Sequence, residues 1–175
     1  MKKLFASLLV LVFAFAFCSC KSEQDSSKTT NTEPVKIIET TAEVNAFKSI
    51  GKSEAENIAG AKISVPEKSD NVSYYLYSSG NSSYVQTSFS RDDCNYVYRV
   101  KKIDEFEDFS GLYFNWSDIR KVKIGKSDAE FRQYSSDDDS YSVLLWIDKS
   151  NGTMNTLSVD DAVSAESFVS IAAQL

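Results

Sequence analysis

A series of short apolar segments separated by turn residues runs from Val72 to Val159, and no other feature constrains the fold as strongly. Within residues 83–89 and 94–101, apolar and polar side chains alternate with the period of two that is typical of a half-buried β-strand. Residues Val72 to Tyr77, which are dense in aromatic side chains, form the first of the segments. Turn residues separate the segments, among them Ser79-Gly80-Asn81 and Arg91-Asp92-Asp93. The pattern predicts a twisted antiparallel sheet of about six to eight strands in largely meander order. Four further segments continue the series, at residues 118–124, 128–134, 141–147 and 153–159.

Two apolar segments of the chain need a separate interpretation. Residues Tyr141 to Ile147 (YSVLLWI) are apolar on both faces of a strand, which indicates a central position in the sheet. Residues Ile63 to Val65 lie before the main series and also alternate, so they predict an additional strand. Pro66 would end the pairing of that strand because it has no backbone N–H.

Helix signals flank the strand series on both sides. The segment SEAENIAG begins at Ser53, a candidate N-cap, and has Glu56 at the capping-box position and Gly60 as its stop. Near the other end of the chain, Ser164 is a candidate N-cap for a second helix. We therefore predict an α+β fold in which a short N-terminal helix and a C-terminal amphipathic helix pack on the sheet. The apolar stripe of the second helix consists of Phe168, Ile171, Ala172 and Leu175.

The first 20 residues, MKKLFASLLVLVFAFAFCSC, have the layout of an export signal. Lys2 and Lys3 form a positively charged start, and the 14 residues from Leu4 to Phe17 form an apolar region. A membrane-spanning helix needs about 20 apolar residues, so this segment fits a cleaved signal better than a permanent span.

The end of this segment resembles the lipobox of bacterial lipoproteins, in which a cysteine follows small residues. That cysteine receives a diacylglycerol thioether and becomes the new N-terminus after cleavage. Cys20 follows Ser19 and fits this role better than Cys18, which follows the bulky Phe17. Phe17 and Cys18 stand where a lipobox usually has leucine and a small residue. The alternative is an ordinary secretory signal cleaved near Ser19, with Cys20 left as a thiol.

These features divide the chain into three parts. Residues 1–19 are interpreted as a lipoprotein signal peptide, residues 20–44 as a flexible linker after lipidated Cys20, and residues 45–175 as a single domain. The linker is rich in Ser, Thr and charged residues, and only residues 35–38 are apolar enough to dock as a short edge segment. Lipid chains on Cys20 would anchor the protein at the extracytoplasmic face of the cell membrane.

The charge and cysteine content of the mature chain exclude several kinds of partner and bond. Removal of the signal lowers the number of basic residues from 19 to 17, against 25 acidic residues, for a formal net charge of −8. Nucleic-acid binding needs a basic surface, so we expect no nucleic-acid partner. Acylation of Cys20 would leave Cys94 without an intrachain partner, so we expect no disulfide framework. The sequence does not indicate an oligomeric state.

The chain contains no histidine, which excludes Ser-His-Asp and Cys-His nucleophiles and the commonest zinc sites. No spacing singles out a Ser-Lys pair or a pair of carboxylates, so we predict no enzyme, no catalytic residue and no cofactor. Cys94 shares a strand face with Tyr96 and Tyr98, which favours a small buried hydrophobe over a reactive thiol. The run of acidic residues 137–139 lacks the spacing of a calcium loop, so we predict a solvated loop and no metal site.

Five aromatic residues crowd the segment from Phe106 to Trp116. Aromatic residues on a loop either cover the core as a lid or form a recognition surface. In the second case, Tyr113 and Trp116 have the flat faces and polar edges needed to stack on sugar rings or hold an apolar partner. A basic stripe near that site would consist of Arg99, Arg120, Lys121 and Lys123. The alternative is that these strand cations are solvated and protect sheet edges.

Four segments of the chain resemble, in order, a family of uncharacterised small lipoproteins of Gram-positive anaerobic bacteria. The family has no established activity, and its domain follows anti-sigma-like segments in some relatives. Ala46 departs from the family pattern, which has proline there. The resemblance implies a small antiparallel-sheet α+β domain and export of the protein, and it implies no catalytic residue. The four segments are NAFKSIGKSEAENIAGAKISVP (Asn45 to Pro66), YRVKK (Tyr98 to Lys102), DFSG (Asp108 to Gly111) and SAESFVSIAAQL (Ser164 to Leu175).

The sequence thus favours a membrane-anchored lipoprotein that binds a protein or glycan ligand without catalysis. A sensing or structural module of an envelope regulatory system is the first alternative, suggested by the anti-sigma-like segments of the relatives. A hydrolase that works without histidine is the second alternative.

Overall fold

A computed structural model describes residues 46–103 and 105–175 of the chain. The predicted export signal, the lipidation site at Cys20, the linker and the edge segment at residues 35–38 lie outside the described residues.

Eight strands and two helices make up the described part of the chain. In chain order they are β1 (Ala46–Ile50), α1 (Lys52–Ala59), β2 (Asp70–Ser79), β3 (Ser82–Arg91), β4 (Cys94–Lys101), β5 (Asp118–Ile124), β6 (Ser127–Ser135), β7 (Ser140–Asp148), β8 (Thr153–Val159) and α2 (Ala165–Ala172).

All eight strands belong to one antiparallel sheet with the order β1-β2-β3-β4-β8-β7-β6-β5. The sheet consists of two four-stranded meanders, which are joined where β4 pairs with β8 and Tyr98 lies opposite Leu157. The predicted antiparallel sheet of six to eight strands is confirmed, but the meander order is wrong at this junction. The reason is burial, because every residue of β8 is buried and the strand therefore needs a neighbour on both sides.

The interior of the sheet contains more polar residues than the sequence analysis indicated. YSVLLWI was predicted to be a central strand, and it forms β7, an interior strand between β8 and β6 with residues 143–146 buried. β8 lies nearer the middle and is buried along its whole length, although its side chains are less apolar. Its buried polar residues are Thr153, Asn155, Thr156 and Ser158.

The two helices contribute to the hydrophobic core on one face of the sheet, which we call the first face. Ala55 and Ala59 of α1 are buried in this core. Phe168 of α2 is fully buried, and its ring lies 6.3 Å from the ring of Tyr96 and 6.2 Å from that of Phe131 between centroids. The N-cap of α2 is Ser164, whose hydroxyl accepts a hydrogen bond from the Ser167 amide (3.2 Å).

The start of α1 and the segment after it differ from the sequence prediction. α1 begins at Lys52 with Gly51 as its N-cap, so the prediction of Ser53 as the N-cap is wrong. Glu56 accepts a hydrogen bond from the amide of Ile63 (3.2 Å) and does not complete a capping box. Because the Ile63 amide finds its partner on α1, residues 63–65 pair with no strand, and the predicted strand is wrong.

The fold is mostly β. The two helices have eight residues each, so the predicted α+β class overstates the helical share of the domain. The sequence analysis also missed β1, a five-residue strand that pairs only with β2 and forms one edge of the sheet. The opposite edge is β5, whose exposed cations Arg120, Lys121 and Lys123 fit the role of edge protection.

A buried polar network lies between β4 and β8. The hydroxyl of Tyr98 donates a hydrogen bond to Oδ1 of Asn155 (2.9 Å), and Nδ2 of Asn155 donates to the carbonyl of Thr153 (3.1 Å). Burial raises the pKa of Tyr98 above its ordinary value of 10.0, and the nearby carboxylate of Asp148 raises it further. The folded protein therefore favours the neutral phenol.

The replacement Tyr98→Phe is expected to lower the free energy of unfolding by about 1 kcal/mol near neutral pH, because Asn155 loses a buried donor. This difference should shrink as the pH rises above 10. The phenol ionises near pH 10 in the unfolded chain and only at higher pH in the folded protein. The stability due to the raised pKa is therefore complete below pH 10 and is lost above it. Urea unfolding of both proteins from neutral pH to about pH 11 tests this, and a pH-independent difference would contradict it.

Candidate functional site

The segment that connects β4 to β5 lies over the second face of the sheet, and we call its residues 105–117 the strap. Ion pairs hold it at two places. The guanidinium of Arg132 on β6 lies 2.6 Å from Asp108, and the ammonium of Lys101 on β4 lies 2.6 Å from Glu107. Both members of the Arg132–Asp108 pair are largely buried. Charge-assisted contacts of this kind fix position as well as adding stability.

The DFSG segment at residues 108–111 forms a tight turn in the middle of the strap. Oδ1 of Asp108 accepts hydrogen bonds from the amide (3.0 Å) and the hydroxyl (2.7 Å) of Ser110. The same Ser110 oxygen then accepts a hydrogen bond from the amide of Leu112 (3.2 Å). Gly111 has a φ of +75°, and a Cβ there would lie 3.4 Å from Nη1 of Arg99. The segment is therefore an anchor of the strap.

Phe109 connects this anchor to the second hydrophobic core. Its buried side chain belongs to a cluster with Val143, Leu145 and Met154 on the second face. Trp116 is half-buried and packs against the same cluster, while its ring makes an edge contact with Phe114 at 5.5 Å. The strap thus covers part of this face, and Phe109 and Trp116 are its aromatic side chains that pack on the second hydrophobic core.

Arg99, a candidate binding residue, is directed at the strap. Its Nε donates a hydrogen bond to Oε1 of Gln86 (2.9 Å), and its Nη1 donates to the carbonyls of Phe109 and Ser110. Burial lowers the pKa of Arg99, although the nearby Tyr84, Tyr113 and Asp108 act in the opposite direction. The guanidinium therefore holds the strap on the sheet instead of forming a basic stripe with the cations of β5.

Tyr113 is the most exposed large apolar side chain of the described residues, with 79% of its surface accessible. Its hydroxyl lies close enough to Tyr84 and Arg99 to influence the pKa of each. Trp116 packs elsewhere, with Phe114, whose ring stacks on those of Tyr134 and Tyr141 at 4.6 and 4.7 Å. The structure thus brings Tyr113 and Arg99 together and places Trp116 in a different cluster.

Two stacked pairs of rings on β1, β2 and β3 extend the surface around Tyr113. The rings of Phe47 and Tyr75 lie 4.8 Å apart, and those of Tyr77 and Tyr84 lie 4.6 Å apart. Phe47, Tyr77 and Tyr84 also occupy paired positions on the three neighbouring strands, so their side chains share the second face. We call the surface formed by these four residues and Tyr113 the aromatic surface.

Sequence reasoning found Tyr113 but not the four strand residues of the aromatic surface. The density of aromatic residues in 72–77 was a signal, and it was interpreted only as evidence for a strand. Period-two alternation shows that Tyr75 and Tyr77 share a face, but not that Phe47 lies next to them. That neighbour comes from β1, which the sequence analysis missed.

Two features that the sequence offered as candidate reactive groups, Cys94 and the acidic residues 137–139, lie among the described residues. Burial raises the pKa of Cys94, and its thiol donates a weak hydrogen bond to Asp161 at 3.5 Å, which also raises the pKa. The thiolate needed for nucleophilic attack is therefore disfavoured. Acidic residues 137–139 form an exposed loop, and no group of side chains in residues 46–103 and 105–175 is arranged to hold a metal ion.

No protein-family model matches the chain, and neither a curated protein nor a solved structure shows significant similarity to it. The resemblance to small lipoproteins therefore stays a prediction. Neither α1 nor α2 has the length and hydropathy needed to span a membrane.

Proposed function

We propose that the protein is a non-catalytic binding module of the outer face of the cell membrane, anchored through lipid on Cys20, and that its aromatic surface binds a carbohydrate. One observation carries the proposal. Phe47 and Tyr113 leave 53% and 79% of their surfaces accessible, and Phe47 stacks on Tyr75 in a row of aromatic side chains on β1, β2 and β3. Exposed rings that are grouped on one surface are typical of a site of contact with a ligand.

A carbohydrate suits this surface better than an extended apolar partner. Rings account for its exposed apolar area, whereas the exposed aliphatic residues of the described chain, Val72 and Ile119, lie outside the aromatic surface. The hydroxyl groups of Tyr75, Tyr77 and Tyr84 and the amide of Gln86 place hydrogen-bonding groups around the rings. Sugar rings need an aromatic face for their apolar side and polar groups at the rim.

The proposed lipid anchor depends on the N-terminal segment. The net charge of −8 gives the mature chain no electrostatic attraction to an anionic bilayer, so a lipid on Cys20 would be the main attachment. Mass spectrometry of the mature N-terminus from the native membrane tests this directly. A diacylglycerol thioether on Cys20 is expected, and an unmodified Cys20 or cleavage elsewhere would contradict the proposed lipid anchor.

The replacements Phe47→Ala and Tyr113→Ala are each expected to weaken carbohydrate binding about tenfold, because each removes an exposed stacking ring. The measurement is a glycan array that includes N-acetylglucosamine oligomers, followed by titration of the best ligand against the full chain in detergent micelles. Phe106→Ala is the matched control, because Phe106 has 52% of its surface accessible and lies outside the aromatic surface.

Two results would contradict the carbohydrate proposal. The first is an array without any bound glycan. The second is equal glycan binding by the control variant and by Tyr113→Ala. Capture of a membrane protein that depends on Tyr113, together with an empty array, would replace the carbohydrate with a protein partner.

A further inference from the structure

A cleft of about 880 Å³ opens at the end of the sheet where the turns between β5 and β6 and between β7 and β8 lie. Phe106 of the strap forms one wall, and Ile147 of β7 contributes a second apolar side chain. This volume is within the range of about 300–1,000 Å³ that is typical of small-molecule sites. The cleft does not include any residue of the aromatic surface.

Phe106 contributes little to the packing of the domain. More than half of its surface (52%) is accessible, whereas Phe109, three residues later on the strap, is buried in the second hydrophobic core. An exposed ring beside an open cleft can be covered by a ligand with an apolar part.

Three lysines surround the same cleft: Lys121 of the edge strand β5, Lys126 of the first turn and Lys149 of the second. All three are exposed, and none forms an ion pair with a carboxylate among the described residues. We call the cleft with these residues the lysine cleft. In a chain with a net negative charge, three such ammonium groups at one opening are a local site for an anion.

The carboxylates of the cleft already have partners. Asp128 pairs with Lys123 (2.6 Å), and Glu130 pairs with Arg132 (2.6 Å). Asp148 accepts hydrogen bonds from the amide of Ser150 (2.9 Å) and from Nδ2 of Asn151 (2.6 Å). Asp128 and Glu130 therefore compete only weakly for the ammonium groups of the lysine cleft, whereas Asp148 keeps its negative charge because its donors are neutral. The three lysines still outnumber this single carboxylate that lacks a cationic partner.

The pKa of Asp128 agrees with a positive electrostatic potential at the lysine cleft. The pKa of Asp128 is lowered, first by its hydrogen bond and charge contact with Lys123 and further by Lys149 and Lys121. Two of the three cleft lysines therefore act on the same exposed carboxylate from a distance.

We infer that the lysine cleft binds a small soluble organic anion, with its phosphate or carboxylate group among Lys121, Lys126 and Lys149 and its apolar body against Phe106. The inference is independent of the carbohydrate proposal, because it rests on the opposite part of the second face. Ammonium groups bind such anions as point charges, and the aromatic ring then selects an apolar body over an inorganic ion.

Isothermal titration of the full chain in detergent micelles with phenyl phosphate, inorganic phosphate and phenol tests the inference. Phenyl phosphate is expected to bind about tenfold more tightly than either of the other two, because only it fills both halves of the site. The triple replacement of Lys121, Lys126 and Lys149 by serine should weaken phenyl phosphate binding about tenfold, and Phe106→Ser should have an effect of similar size.

The matched control replaces Lys48, Lys68 and Lys102 by serine, which changes the net charge equally at positions outside the cleft. This control should retain the affinity of the unaltered chain for phenyl phosphate. All of these side chains are exposed, so the variants are expected to fold, and circular dichroism checks this.

Three results would overturn the inference. They are the absence of phenyl phosphate binding up to about 10 mM, equal binding by the two triple variants, and equal affinities for phenyl phosphate and inorganic phosphate. The replacement Tyr113→Ala separates the two proposals, since it should reduce glycan binding and leave phenyl phosphate binding unchanged.

Discussion

The replacement Asp108→Ala is expected to lower the free energy of unfolding by about 3 kcal/mol. It leaves the largely buried guanidinium of Arg132 without its contact at 2.6 Å. It also removes the acceptor for the amide and hydroxyl of Ser110, a residue with only 1% of its surface accessible. Arg132 keeps its ion pair with Glu130 but loses its second carboxylate, and two polar groups of Ser110 lose their acceptor in a place that water reaches poorly.

Urea unfolding monitored by circular dichroism measures this effect, with Asp137→Ala in the exposed β6–β7 loop as the control. The control should change stability by less than about 0.5 kcal/mol. A double-mutant cycle with Arg132→Met identifies the mechanism, because the two replacements should cost much less together than the sum of their separate effects. A loss below about 1 kcal/mol for Asp108→Ala would show that the strap isn't anchored through this residue.

The same replacement should also affect binding, since the strap carries Tyr113. Arg99 donates hydrogen bonds to the carbonyls of Phe109 and Ser110, so a loosened DFSG turn would shift the residues that follow it. Glycan affinity is therefore expected to fall in Asp108→Ala even under conditions where the variant is folded. The DFSG turn anchors the strap and thereby also fixes the position of the exposed Tyr113 ring.

The replacement Phe168→Ala is expected to lower the free energy of unfolding by about 3–5 kcal/mol. Phe168 is fully buried and contacts the rings of Tyr96 on β4 and Phe131 on β6. Its removal opens a cavity between α2 and the two meanders of the sheet, and the surrounding strands can close it only partly. The side chain therefore contributes to the attachment of the helix and to the junction of the meanders.

Urea unfolding also tests this prediction, and Ser170→Ala on the exposed side of α2 is the matched control. The control should be close to neutral because alanine is a good helix former. If Phe168→Ala cost less than about 1 kcal/mol, α2 would not be packed on the sheet as described. An unchanged dependence of stability on urea concentration would confirm that the variant unfolds in the same cooperative transition.

Hairpins were the part of the fold that the sequence predicted best. The turn before β4 was expected at residues 91–93, and the structure places Asp92 and Asp93 there with φ angles of 51° and 64°. Aspartate and asparagine tolerate such angles better than most residues, and the flanking strands alternate with a period of two. Both signals are local, because a turn and its two strands are adjacent in the chain.

The functional residues were harder to predict because their positions depend on contacts between residues far apart in the chain. Arg99 was expected to add charge to a binding surface, yet it lies on β4 under the strap, where it donates hydrogen bonds to two carbonyl groups. Trp116 was grouped with Tyr113 by sequence proximity, but its neighbours are Phe114 and the second hydrophobic core. Whether an aromatic residue of the strap is exposed depends on which strand lies below it.

By itself, the sequence determined the alternation in residues 83–89 and 94–101, the turns and the antiparallel class of the sheet, because strand periodicity and turn chemistry act between neighbours in the chain. Only the tertiary structure decided that β4 pairs with β8, that β1 brings Phe47 beside Tyr75, and that the strap anchors through Asp108. These are contacts between residues far apart in the chain. Which of these contacts form depends on which surfaces become buried together when the whole sheet forms, and no local sequence pattern determines this.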